Sequence, residues 1–218
     1  MLKIILVSAT RLEIEPTLLF LEHYRSEKQH TFIFGKLEIE TCITQVGMVN
    51  TAFELGKFVG RNFDIAINAG LAGSFGEYDA GEVLNVTDDC FSELGAEDGT
   101  NFISSDVLGL GEQRVGFNNL IHNLVTDKLP MTSGITVNTV HGDEDTIEKI
   151  KKAYKPGVET MEGAAFIQAA NAFNWRGIQL RAISNKVEKR NKNNWQIPLA
   201  IKNLNEVLIE LIKSLAHS

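Results

Sequence analysis

The stretch Val158 to Phe166, VETMEGAAF, passes from a short β-prone run into a small-residue, helix-prone run, with an acid, Glu162, at the join. A carboxylate there gains from the positive end of the helix and is held without a long loop, which makes Glu162 a candidate site residue. The same position suits a plain dipole partner, worth roughly 0.3–1 kcal/mol to a helix. Three more stretches read as strand ends: Ser8–Glu13, Ala69–Gly76 and Ser184–Asn185. Ligands gather at strand ends in α/β folds. The four stretches together offer carboxylates at Glu13 and Glu162, a glycine-rich bend and the amide of Asn185. Such a set can take a proton from water, hold hydroxyl groups and donate to a departing group.

The elements that must carry these residues alternate in type. Lys3 to Ala9 is a continuous apolar run, a buried strand that enters a helix at once, with Thr10 and Glu13 fitting a capping box and Pro16 near the helix start. Phe32–Gly35 and Leu37–Thr44 read as an antiparallel pair, Asn50–Arg61 as a helix, and Asp64–Ala69 as a buried strand running into the bend Gly70–Gly76. Gly81–Thr87 is a strand, and Asp88 to Gly116 is polar and glycine-spotted with no resolved pattern. Strands over Gly134–Val140, Gly157–Thr160 and Gly177–Ser184 then alternate with helices over Asp143–Tyr154, Met161–Phe173 and about Pro198–Leu215. The sum predicts one domain over residues 1–218, an α/β fold: a three-layer α/β/α sandwich with a mixed central sheet.

At 218 residues, 44% hydrophobic and 22% charged, the chain is long enough for a sizeable core. Its net charge of −7 argues against nucleic acid as a partner, because neutralising phosphates needs a basic face. Cys42 and Cys90 lie in unrelated segments and read as buried thiols, neither a disulfide framework nor a metal site. The glycines after Ala69 match neither GxGxxG nor the Walker pattern, so no dinucleotide or phosphate-loop cofactor is expected. No apolar run approaches the ~20 residues of a membrane span, and a cytoplasmic protein is expected.

The segments INAGLAGS, VETMEGAAF and RAISN, in that order and spacing, resemble the nucleoside phosphorylase and nucleosidase family. In appearance the chain is nearest to the methylthioadenosine/S-adenosylhomocysteine nucleosidases. ELGAED (Glu93–Asp98) and ISNKVEKRNKNNWQIPLAI (Ile183–Ile201) look like the patterns of the futalosine-hydrolysing subgroup, which acts in menaquinone synthesis. The resemblance covers nearly the whole chain and weakens between about Ser104 and Pro130. It implies a small-molecule nucleoside substrate, no cofactor or metal, and a homodimer or higher homo-oligomer. It also implies that Glu13 activates the attacking water, that Met161 and Glu162 pack and hydrogen-bond the ribose, that Gly73 lies in the loop beside it, and that Asn185 reads and activates the purine. Those residue types suit N-glycosidic hydrolysis, which builds positive charge on the sugar and negative charge on the base. Glu13 remains equally a capping-box acid, and Asn185 equally a turn residue after its strand.

Two departures from the adenine-specific nucleosidases bear on the substrate. Those enzymes carry aspartate where this chain has Asn185, whose amide donates no catalytic proton but can give hydrogen bonds to N7 and to a 6-oxo oxygen, as in hypoxanthine. The phosphorylases bind phosphate with arginines and a serine in the glycine bend, where this chain has Asn68, Gly70 and Leu71 and no basic residue over Ile65–Gly76. Water is therefore the expected nucleophile. The benzoate on C5′ of futalosine calls for a cation, with Arg190, Lys189, Lys192 and Arg11 all open. Thr139–His141 is a candidate for stacking on the base, and Phe166 and Trp195 are either pocket walls or core.

Overall fold

The computed structural model describes residues 1–99 and 101–217. Its first strand, β1 (Leu2–Ser8), buries Ile4, Ile5, Leu6 and Val7 completely, as an apolar run does when helices cover both faces of a sheet. The capping box opens α1 (Arg11–Leu21): the Thr10 hydroxyl accepts from the Glu13 N–H while the Glu13 carboxylate accepts from the Thr10 N–H. The expected hairpin forms as β2 (Thr31–Phe34) and β3 (Leu37–Ile43). Helix α2 (Met48–Gly56) starts earlier than Asn50 and stops well short of Arg61, because turns follow Gly56 and Gly60 takes a φ of +77°.

The largest correction to the sequence reading concerns the glycine bend. Strand β4 (Ile65–Ser74) runs straight through Gly70 and Gly73, and the chain turns only at Gly76, where φ is +115°. Those two glycines are there for space, not for bending. The region from Asp88 to Gly116 resolves into the end of β5 (Val83–Cys90), a small hairpin of β6 (Gly95–Asp98) with β7 (Asn101–Ser104), and β8 (Arg114–Gly116), which pairs antiparallel with β5. Strand β9 (Met131–Thr136) leaves the sheet before Val140, because the Asn138 N–H turns to the Glu93 carboxylate at 3.0 Å. Helix α3 (Glu144–Tyr154), β10 (Val158–Thr160), α4 (Gly163–Ala172), β11 (Arg176–Lys186) and α5 (Ile197–His217) complete the chain.

The sheet runs β10-β9-β5-β11-β4-β1-β3-β2, with β8 beside β5. It is mixed: β1 is parallel to β3 and β4, and β4 to β11, while β11 and β5 are antiparallel. Strand β10 also pairs antiparallel with the end of β4, Val158 opposite Ser74 and Glu159 opposite Gly73, so the sheet curls back on itself. One core cluster lies under α1 and α5, with Ile14, Leu18, Leu204, Leu208 and Leu211 packed on Ile4, Leu6, Ile67 and Leu180. The other lies under α2 and α4, where Leu55, Phe166, Ile167 and Ala170 meet Ile5, Val7, Ala66 and Trp175. Helices on both faces of a mixed sheet make the three layers. Among the described residues no helix is long and apolar enough to cross a membrane, and no group of acids, histidines and cysteines could hold a metal ion.

Candidate active site

All five candidate residues stand at one end of the sheet. Glu13 lies in the first turn of α1, just beyond β1, and both of its oxygens are engaged. Oε2 accepts from the Thr10 N–H at 2.8 Å and the Thr10 hydroxyl at 2.9 Å, with the Ser8 hydroxyl at 3.3 Å, while Oε1 accepts from the Leu71 N–H at 3.0 Å. The capping role is therefore real, and the carboxylate also reaches across to β4.

Glu162 is the N-cap of α4, yet its side chain makes no capping bond to that helix. It turns away instead: Oε1 accepts from the Gly47 N–H, the N-terminus of α2, at 3.0 Å. Only 6% of the residue is exposed. Burial raises the pKa of its carboxyl group, opposed by the Arg181 guanidinium and the Gly47 bond and reinforced by the negative charge of Glu13. Met161, half-buried, precedes it.

The cation behind these acids is one the sequence reading missed. Arg181 on β11 is 1% exposed, and its Nη2 lies 3.9 Å from Glu162 Oε2. A methyl group built on Gly70 would collide with Arg181 Nη1 and stand 3.0 Å from Glu13 Oε1. Gly70 lacks a side chain because the guanidinium fills that space, with Glu13 beside it. The absence of a basic residue over Ile65–Gly76 is thus offset from the neighbouring strand, although Glu162 already faces this cation and Glu13 lies close by. A signal was present in the sequence. Gln179 and Arg181 alternate within the apolar run GIQLRAIS, and buried polar side chains are the informative kind.

Asn185 and Gly73 come side by side through a β-bulge. The register of β11 on β4 slips between Ile183 and Asn185, so that Asn185, not Ser184, stands opposite Gly73. A methyl group on Gly73 would lie 2.9 Å from Val187 Cγ2 and 3.4 Å from Asn185 Nδ2. The amide is half-buried and bonded locally, accepting from the Ser184 hydroxyl and donating to the Lys186 carbonyl, both at 2.8 Å.

The remaining candidates separate. Phe166 is fully buried core. Arg190 stacks over the Trp195 ring at 5.4 Å, and Arg11 is exposed and paired with Glu15 at 2.6 Å. His141 is bound at both its backbone N–H and its ring Nδ1 to the carboxylate of Glu159. Cys42 and Cys90 are free and buried, and burial pushes both thiols up to about 12, where they are unreactive at neutral pH.

The model of the phosphorylase superfamily matches residues 3–213. A futalosine hydrolase of Thermus thermophilus is 30% identical over 178 residues, covering 78% of this chain and 79% of the relative. A futalosine hydrolase of Acidothermus cellulolyticus is 29% identical over 159 residues, covering 69% and 65%. Among solved structures, the futalosine hydrolase of Helicobacter pylori superposes with a TM-score of 0.81 at 15% identity, over 97% of both chains. The H. pylori 5′-methylthioadenosine/S-adenosylhomocysteine nucleosidase with butyl-thio-DADMe-Immucillin-A superposes with a TM-score of 0.82 at 16% identity, over 98% of both. At those identities the likeness is one of fold.

Proposed function

Since the chain belongs to the phosphorylase superfamily and is an N-glycosyl hydrolase by its curated relatives, we propose that its substrate is futalosine, cleaved to hypoxanthine and dehypoxanthinyl futalosine, a step of menaquinone synthesis. The observation that carries the reading is the gathering of Glu162, 3.9 Å from a buried guanidinium, and Glu13, beside the same Gly70 space, at the end of the sheet that also holds Asn185.

In this reading Glu13 takes a proton from the attacking water, its carboxylate held between the start of α1 and the Leu71 N–H of β4. Glu162 accepts from the ribose hydroxyls with the oxygen that faces Arg181, and Met161 packs on the sugar beside Gly73. Positive charge growing on the sugar meets the surplus carboxylate charge of the pair. Asn185 releases its local bonds and donates to N7 and the 6-oxo oxygen of the departing hypoxanthine. Phosphate is disfavoured as nucleophile because the buried Arg181 already faces Glu162, with Glu13 close by. Family analogy adds a homodimer or higher homo-oligomer.

The test is base release from futalosine, inosine and methylthioadenosine, each with and without phosphate. Hypoxanthine from futalosine alone, at the same rate without phosphate, is the expected result. Adenine from methylthioadenosine would move the chain to the broader nucleosidases, and ligand binding without turnover would make it a nucleoside-binding protein.

A further inference from the structure

Beneath the site lies a buried polar group that none of this chemistry uses. Asp89, on β5, is fully buried. Its Oδ1 accepts from the Cys90 N–H and from the Thr136 hydroxyl, both at 2.8 Å, and its Oδ2 accepts from Gln179 Nε2 at 3.4 Å. Gln179, also fully buried, accepts in turn through Oε1 from Arg181 Nη2 at 3.1 Å. That is the only hydrogen bond the guanidinium makes among the described residues, and its Nε has no partner. The Thr136 hydroxyl that donates to Asp89 also accepts from the Ala164 N–H at 2.8 Å, in the first turn of the helix that Glu162 caps.

The order of donors and acceptors along this chain is forced. An ionised carboxylate only accepts and a guanidinium only donates. An amide between them satisfies both in one orientation alone, NH₂ towards Asp89 and oxygen towards Arg181. The space is shaped for the arrangement: a methyl group on Gly163 would collide with Asp89 Oδ2 and lie 2.5 Å from Gln179 Oε1, and one on Gly134 would lie 2.7 Å from Asp89 Oδ2. The glycine that follows Glu162 is there to admit the pair.

We propose that Asp89 is a positioning residue of the nucleosidase reaction: by fixing the orientation of the Gln179 amide it holds the Arg181 guanidinium against Glu13 and Glu162. Neither Asp89 nor Gln179 meets substrate in this account, which rests on the function proposed above. The ionised state is sustained by the three donors and by Arg181 against a burial that pushes the Asp89 carboxyl up to about 6.

Asp89→Asn tests the chain by inverting it. The asparagine oxygen stays with the donors at Cys90 and Thr136, so its NH₂ faces the Gln179 NH₂, and whichever way the glutamine turns, two donors oppose. Turnover is expected to fall roughly 10–100-fold through misplacement of Arg181, with KM little changed. Asp89→Asn combined with Gln179→Glu moves the negative charge one step along the chain and restores every donor–acceptor pair; its turnover should return to within about fivefold of wild type, a coupling that independent sites do not give. Should Asp89→Asn not fold, Gln179→Met cuts the link to Arg181 while keeping the Asp89 bonds to Thr136 and Cys90, and carries the same expectation. Unchanged turnover in the folded single variant, or a double variant no faster than Asp89→Asn, overturns the proposal.

A reading that needs no substrate separates this from the choice of function. The Arg181 Nε–H resonance in the ¹⁵N spectrum should move in Asp89→Asn and return in the double variant, and an unmoved resonance overturns the relay. Failure of the wild type to cleave futalosine sinks the substrate reading alone.

Discussion

Glu159 and Glu162 belong to one short segment, are both buried, and each faces a basic partner, yet they are bound very differently. Glu159 gives both oxygens to His141, one to its N–H and one to its ring. Glu162 gives one oxygen to Gly47 and leaves the other with Arg181 at 3.9 Å, beyond hydrogen-bond distance. A fully bonded buried acid is part of the frame. A half-bonded one has capacity for a ligand, and its burial without full compensation is a cost that structure alone does not require.

The widest test of that contrast lies with the acid beside Gly70, Glu13. Glu13→Gln keeps the capping geometry in reach but removes the proposed base, and hypoxanthine release should fall ~10²–10⁴-fold with binding largely preserved. Turnover near wild type would take Glu13 out of the mechanism. The pair itself is broken by exchanging each glutamate for glutamine. Glu162→Gln should lower kcat/KM by roughly 10²-fold without loss of stability, because its charged form is disfavoured by burial. Glu159→Gln should do the reverse, costing about 1–3 kcal/mol in urea unfolding while turnover persists. If both variants lose activity alike, the distinction between frame and site fails.

Asn185→Asp sharpens the reading of the base, and a shift towards 6-aminopurine nucleosides of roughly tenfold or more is expected from comparing adenine with hypoxanthine release. The smallest effect concerns His141. Its hydrogen bond to Glu159 raises its pKa above the usual 6.5, against the effect of burial. The pair therefore stabilises the fold fully below that value, and the contribution fades as pH rises through the higher folded one. Wild type should exceed His141→Gln in urea midpoint most at pH 5.5 and least at pH 9; a gap that widens with pH would show that the ring is neutral.

Much of this was written in the sequence. The capping box of Thr10 and Glu13, the strand-to-helix join at Glu162 and the order of strands and helices follow from local pattern, because propensity and burial agree there. What stayed hidden depends on contacts between distant segments. Gly70 reads as a bend until Arg181, on another strand, is seen in the space of its missing side chain. The slip that brings Asn185 opposite Gly73 has no local mark, since a bulge is a property of two strands. Gln179 and Arg181 were visible as polar residues in an apolar run, but their partners Asp89, Glu13 and Glu162 come from three other elements.

The closure of β10 onto the end of β4 bears on what this protein can accept. Gly73 is flanked in the sheet by Glu159 on one side and Asn185 on the other, so the strand leading to Glu162 and the strand carrying Asn185 clasp the same residue. In the proposed function, the span from sugar anchor to base anchor is therefore measured out by backbone ladders, not by loops. Such a gauge does not stretch: a nucleoside with a wider or narrower reach between ribose and base meets a fixed jaw.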